Sequence, residues 1–225
     1  MILENLNHPS MRDTIFEDED DAFQKLINNM PLSFLNTEKT IVVGISFNGI
    51  RFAYNLSRHL KVPFTFLFAA PIYAPNNSNC EIAMVTETQD VVINEPLVKC
   101  FEISLDYIYG EVQRIYEDKM LPMIYQYRKG NPPISLDEKR ALIVDIGIDS
   151  GLTSMAVIKS MITMHAKIVN FVSPVAPLDV VKNLEDVTDG VFCFYKTNKF
   201  VDIKYYYKTY PKVEDKQLDE IFTHM

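Results

Sequence analysis

Five short apolar runs constrain this chain more than anything else in it. Thr40–Ile45 (TIVVGI), Pro63–Phe68 (PFTFLF), Ala141–Asp145 (ALIVD), Lys167–Ser173 (KIVNFVS) and Gly190–Tyr195 (GVFCFY) are rich in β-branched and aromatic residues. Strict polar alternation is missing from them, as expected for strands buried on both faces. Segments of helical period lie between them: Ile50–Leu60, Ser154–Met164 and Leu178–Leu184, with an opening amphipathic helix over Asp18–Met30. Alternation of β and α at this spacing predicts an α/β fold, an open and mostly parallel five-strand sheet with helices on both faces and right-handed crossovers.

Two stretches interrupt the rhythm. From Ala69 to Asn94 the chain carries Pro71, Pro75, Asn76, Asn77 and Asn79, then the runs EIAMV and DVVIN, which together predict a loop followed by a hairpin or paired strands outside the main sheet. Pro96–Tyr127 repeats apolar residues at helical spacing, and Pro122 should kink or break that helix. Its tyrosines and methionines read as packing. At 225 residues the expectation is one domain, residues 1–225, with a core over about 38–195 and a small hood built from 1–37 and 196–225.

Charge narrows the partners. Thirty acidic residues against 22 basic ones leave a formal charge of −8, the wrong sign for a general affinity for nucleic acid or an anionic membrane surface. The acidic run FEDEDD at Phe16–Asp21 reads as a solvated helix start, its carboxylates facing the positive end of the helix dipole, and not as a metal site. Cys80, Cys100 and Cys193 are odd in number and widely spaced, matching neither a disulfide framework nor a zinc pattern, and fit reduced cytoplasmic thiols. The N-terminus lacks the succession of a signal peptide, and no apolar run is long enough to span a bilayer. His8, His59, His165 and His224 are scattered without ligand spacing. In KYYYKTY, tyrosines between lysines could stack on nucleic acid, but the acidic total favours a packed C-terminal segment.

The chemistry concentrates in DIGIDSGLT, Asp145–Thr153, at the end of a predicted central strand and the start of a helix. Ligands of open parallel sheets bind there, because free helix N–H groups point outward. Gly147 and Gly151 permit close backbone approach, while Ser150 and Thr153 add hydroxyls beside the amides of Gly151, Leu152 and Thr153; the set could encircle a phosphate. The same residues also suit an ordinary strand-to-helix turn with an N-cap. The spacing matches neither a Walker loop nor a G-x-G-x-x-G turn.

Four apolar residues, an acidic pair and Thr-Gly-x-Thr form the signature of type I phosphoribosyltransferases, and ALIVDIGIDSGLT resembles a diverged copy. The resemblance runs through nearly the whole chain, closest to a bacterial group of predicted phosphoribosyltransferases. It includes FEDEDDAFQKL, VVGISFNGIRFAYNLSRHLKVPF, APIYAPNNSNCEIAMV, YRKGNPP, VSPVAPLDVVKNLEDVTDGVFCF and FVDIKYYYKTYPKVEDKQL. It implies that Asp149, Ser150, Gly151, Leu152 and Thr153 hold the 5-phosphate of phosphoribosyl pyrophosphate (PRPP). It further implies that Asp145 lies near the ribose hydroxyls, that Asp149 assists an attacking base, and that Mg²⁺ arrives on the substrate's oxygens and not in a protein metal site. Ser46, Phe47, Asn48 and Gly49 match the pyrophosphate-side loop. The resemblance leaves room for a homodimer, and Phe200 matches a position where some members set an aromatic against the base.

The chain also departs from the pattern. The second acid of the pair is Ile146; Ser46-Phe47-Asn48-Gly49 replaces Ser-Arg-Gly-Gly; and Ala70-Pro71 stands where the family carries Arg-Lys. Losing one preorganised contact to the leaving group typically costs about 10²–10³ in rate, so three such losses would leave binding with almost no turnover unless Arg51, Arg58 or Lys99 substitutes in space. Two readings follow: a Mg²⁺-dependent phosphoribosyltransferase acting on a nitrogen nucleophile in nucleotide metabolism, or a catalytically inactive relative that senses a phosphorylated ribose or binds another protein.

Overall fold

A computed structural model of the chain describes residues 14–224. Its centre is a five-strand sheet of β1 (Thr40–Gly44), β2 (Phe64–Phe66), β6 (Arg140–Val144), β7 (Ile168–Pro177) and β8 (Gly190–Thr197), in the order β2-β1-β6-β7-β8. Every pairing in it is parallel. Successive residues of the central strands face opposite sides. Val42, Leu142, Val144 and Val172 join a core with α1 (Glu19–Asn29) and α2 (Ile50–Leu60). Ile41, Val43, Ala141, Ile143 and Phe171 join a second core with α6 (Leu152–Thr163) and α7 (Leu178–Glu185). Burial on both faces is the reason these runs lack polar alternation.

The excursion is an antiparallel three-strand sheet of β3 (Ala69–Ala74), β4 (Asn77–Thr86) and β5 (Val91–Ile93). It packs Ile72, Ile82 and Val85 against Ile108, Val112 and Ile115 of the long helical segment. The segment expected as a loop is therefore partly strand, and Pro71 is tolerated because β3 is an edge. The long segment divides into α3 (Glu95–Cys100), α4 (Leu105–Ile115), a π-helical turn (Tyr116–Met120) and α5 (Leu121–Arg128). Pro122 has no N–H for the carbonyl one turn back, and it stands at the start of α5, directly after the wider π turn.

The opening helix begins at its Asp18 N-cap, whose side chain accepts from the Asp21 amide. Its acidic start is not wholly solvated as expected: Glu19 is 2% exposed and accepts from Arg51. The tail forms a short 3₁₀ turn (Ile203–Tyr206) and a C-terminal helix α8 (Asp215–Thr223) with its own capping box, Glu214 and Gln217. Phe16 and Tyr207 pair as an isolated parallel bridge, so the start of the described chain lies beside the tail. Residues 1–13, part of the expected hood, and His8 lie outside the described residues.

Candidate functional site

With the strand order β2-β1-β6-β7-β8, the sheet reverses direction of winding between β1 and β6, and a crevice opens beyond their carboxyl ends. The two strands pair in register from Thr40↔Arg140 to Gly44↔Val144, so the loops at Ser46–Gly49 and Asp145–Thr153 leave the sheet at one level. Both predicted loops thus meet at the switch point. Ser46 Oγ donates to Asp145 Oδ1 at 2.5 Å and accepts from the Gly49 amide at 3.0 Å. A Cβ on Gly49 would sit 2.3 Å from that same carboxylate oxygen, so only glycine lets the first loop close this tightly over Asp145.

Asp145 is 9% exposed, accepts a second hydrogen bond from the Ile146 amide at 2.8 Å and has no ion-pair partner among the described residues. Burial pushes its pKa up to about 6, against the two hydrogen bonds, so it is protonated far more readily than an ordinary aspartate. Ile146 is buried in the core, and its carbonyl accepts from Tyr207 Oη at 2.7 Å. The Asn48 side chain bonds Tyr210, whose hydroxyl is held above its ordinary pKa first by burial and then by Asp145. Two tail tyrosines therefore reach across to the two loops. Lys204 places its ammonium 5.7 Å from the Tyr210 ring centroid, a cation the sequence reading did not single out.

The second half of the long loop is open. Asp149 and Ser150 are exposed, Gly151 is buried, and Leu152 and Thr153 are half-buried. Gly151 caps α6 in the left-handed region (φ 76°) with no side-chain hydrogen bond, and the Leu152 amide reaches Ser150 Oγ at 3.4 Å. First-turn amides at such a helix start are free to bind an anion. Around them the electrostatics turn acidic: partial burial and then the charge of Asp202 raise the Asp149 pKa, and burial and then Asp149 raise that of Glu81. Ile203 packs so closely on Gly147 that a Cβ there would meet its Cγ2 at 2.5 Å.

The positions that depart from the sequence signature are filled by packing. Phe47 lies with ring centroids 5.3 Å from Phe66, 6.2 Å from Phe68 and 6.0 Å from Tyr127. Ala70 is buried in the smaller sheet. Of the cations considered as substitutes, Arg51 is bound to Glu19 and Asp20, and Lys99 to Glu95 within α3. Phe200 stacks on Tyr206 at 5.4 Å, within the tail. Among the described residues no group of three or more His, Cys, Asp or Glu side chains could hold a metal ion, and Ile146 supplies no side-chain oxygen beside Asp145, whose Oδ1 is taken by Ser46.

The phosphoribosyl transferase domain family fits residues 12–208, nearly the whole chain. The chain belongs to that family. Two curated Mycobacterium tuberculosis proteins, from strains CDC 1551 / Oshkosh and ATCC 25618 / H37Rv, carry phosphoribosyl transferase names marked as provisional. Each is 22% identical over 204 residues, which is 91% of this chain and 45% of the relative. The chain thus spans about half the length of the curated relatives it matches. A crystal structure of the protein TT1426 from Thermus thermophilus superposes with a TM-score of 0.74 at 19% identity, covering 93% of this chain and 98% of that one. The type I phosphoribosyltransferase fold expected from the sequence is therefore the fold observed. Among the described residues no helix is long and apolar enough to cross a membrane.

Proposed function

We propose that the protein binds the phosphoribosyl group of PRPP, or a ribose 5-phosphate ester, without efficient transfer. The phosphate is taken by the amides and hydroxyls of Ser150–Thr153, with Asp145 beside the ribose. The observation that carries the second half of this reading is the apolar conversion of the pyrophosphate side. Phe47 is built into an aromatic cluster, Ile146 is buried in the core, and Asp145 is closed off by Ser46 and Gly49. Catalysis of ribosyl transfer needs fixed charge around the departing pyrophosphate, and packed aromatic and aliphatic side chains offer none. Binding asks less: a helix start with free amides attracts an anion, and Lys204 stands near the tail tyrosines to offset part of the acidic surround. Any Mg²⁺ would be carried mainly by the ligand's own phosphates, which the ion prefers to an all-protein cage.

Calorimetric titration with ribose 5-phosphate and with PRPP, each with and without Mg²⁺, tests the reading alongside a pyrophosphate-release assay over candidate nitrogen nucleophiles. The account expects metal-independent binding of both ligands and no pyrophosphate release above background. Release at ordinary turnover rates would return the protein to the transferases. Silence toward both ligands would leave the fold as an interaction module.

A further inference from the structure

Strand β2 is the last of the main sheet, and only one of its sides is paired. The Val42 amide donates to the Pro63 carbonyl and the Leu67 amide to the Gly44 carbonyl, both at 3.0 Å, with Val42 opposite Phe64 and Gly44 opposite Phe66. A parallel ladder in this register uses the backbone groups of Pro63, Thr65 and Leu67 and turns the N–H and C=O of Phe64 away from the sheet. Neither of those two groups has a hydrogen-bond partner among the described residues, although Phe64 is buried. Buried backbone groups are nearly always answered, by protein, by water or by a ligand. A cavity of about 550 Å³ touches both Phe64 and Thr65, neighbours whose side chains point to opposite faces of the sheet. It therefore runs along the open edge, where the Phe64 groups point. Its far walls are the YRKGNPP connection after α5 and the C-terminal helix α8.

We propose that this cavity binds a small, neutral, planar heterocycle with a lactam edge, whose ring N–H donates to the Phe64 carbonyl while its C=O accepts from the Phe64 amide. A lactam holds donor and acceptor side by side, as a residue of a neighbouring strand does, so both hydrogen bonds form from one edge. An added peptide strand would need successive outward-facing residues. The cavity reaches Phe64 and not Phe66, and further along the chain the Phe68 amide is taken by Glu87 Oε1 at 2.9 Å and its carbonyl by the Glu87 amide. The rings of Tyr127 and Phe222, stacked at 4.4 Å, and the side chain of Ile134 give the heterocycle an apolar surface to cover. Lys129 and Asp219 both line the cavity, so no single sign of charge favours an ion. The volume falls within the range of small-molecule sites. Water can answer the same two backbone groups; a lactam replaces it and also removes apolar surface from solvent. The inference rests on the strand edge and the cavity alone, and stands or falls separately from phosphoribose binding.

The test titrates the full chain, labelled for protein-observed NMR, with carbostyril, a bicyclic lactam, and with N-methylcarbostyril, which keeps the rings and the C=O but has no N–H to donate. The expected result is saturable one-to-one binding of carbostyril, with the Phe64 amide among the resonances that move most. The N-methyl compound should bind at least about tenfold more weakly, the scale of one hydrogen bond lost where the carbonyl is left unanswered. A variant, Thr223→Trp, fills the cavity from its exposed rim without touching β2, and should weaken carbostyril by a similar factor. Equal affinity for the two compounds, a Phe64 amide that does not respond, full affinity retained in the folded variant, or no saturable binding of carbostyril would overturn the proposal.

Discussion

Replacing Asp145 by asparagine is expected to stabilise the protein at neutral pH, although Asp145 sits at the centre of the candidate site. The carboxyl is 9% exposed, and its hydrogen bonds from Ser46 and the Ile146 amide do not offset the loss of water, so its pKa rises from 3.8 to about 6. Between those two values the folded chain holds a proton that the unfolded chain releases. Stability therefore falls as pH rises through that window, and the full cost is present above about pH 6. A gap of about two pKa units, at about 1.4 kcal/mol each, sets the cost near 3 kcal/mol. Asparagine keeps an acceptor for Ser46 and carries no charge. Asp145→Asn should thus gain up to about 3 kcal/mol at pH 8, or roughly 6–12 °C in Tm for a chain of this size, and gain little at pH 4. Urea unfolding of both proteins at pH 4, 6 and 8 measures this. A variant less stable than the parent at pH 8, or a difference that does not change with pH, would refute the reasoning.

Three further substitutions probe the same loops. Gly151→Ala should destabilise by about 1–2 kcal/mol through its positive φ alone. A further steric cost is expected because the new Cβ would lie 2.6 Å from Val180 Cγ1, and Val180→Ala should recover only that part in thermal unfolding. Bulk at this position thus strains the backbone and presses on Val180. Tyr207→Phe removes the donor to the buried Ile146 carbonyl and should cost about 1–3 kcal/mol by urea unfolding, with an unchanged midpoint contradicting the role given to that hydroxyl. Phe47→Arg restores the residue type of the family loop but forces a charge into an aromatic cluster. It should lower Tm without producing pyrophosphate release, and a stable, active variant would show that packing is not what displaced the arginine.

The main sheet was legible because its physics is local. A strand covered on both faces has to be apolar throughout, and Thr40–Gly44 and Ile50–Leu60 fall at or within one residue of where the sequence puts them. Strand β3 was hidden because Pro71 argues against a strand unless the strand is known to be an edge, which only the fold reveals. The C-terminal helix was missed although its signals were present: Leu218, Ile221 and Phe222 lie on one buried stripe, and Glu214 and Gln217 form the capping box. In the site, the meeting of the two loops follows from the pairing of β1 with β6, a long-range contact that the alternation of strands and helices does not specify. The reach of Tyr207 and Tyr210 from the tail, the approach of Lys204 and the acidic pressure of Asp202 and Glu81 on Asp149 are long-range, and no local pattern announces them. Sequence comparison marked Phe47 and Ile146 as lost charges; the fold adds that each has become part of a packed core.

The most direct measurement is a crystal structure of the full chain grown with ribose 5-phosphate. The account predicts phosphate density within hydrogen-bond distance of the Gly151, Leu152 and Thr153 amides, with the ribose toward Asp145. Density confined to another surface, or Ser150–Thr153 held by the protein's own side chains at saturating ligand, would contradict it.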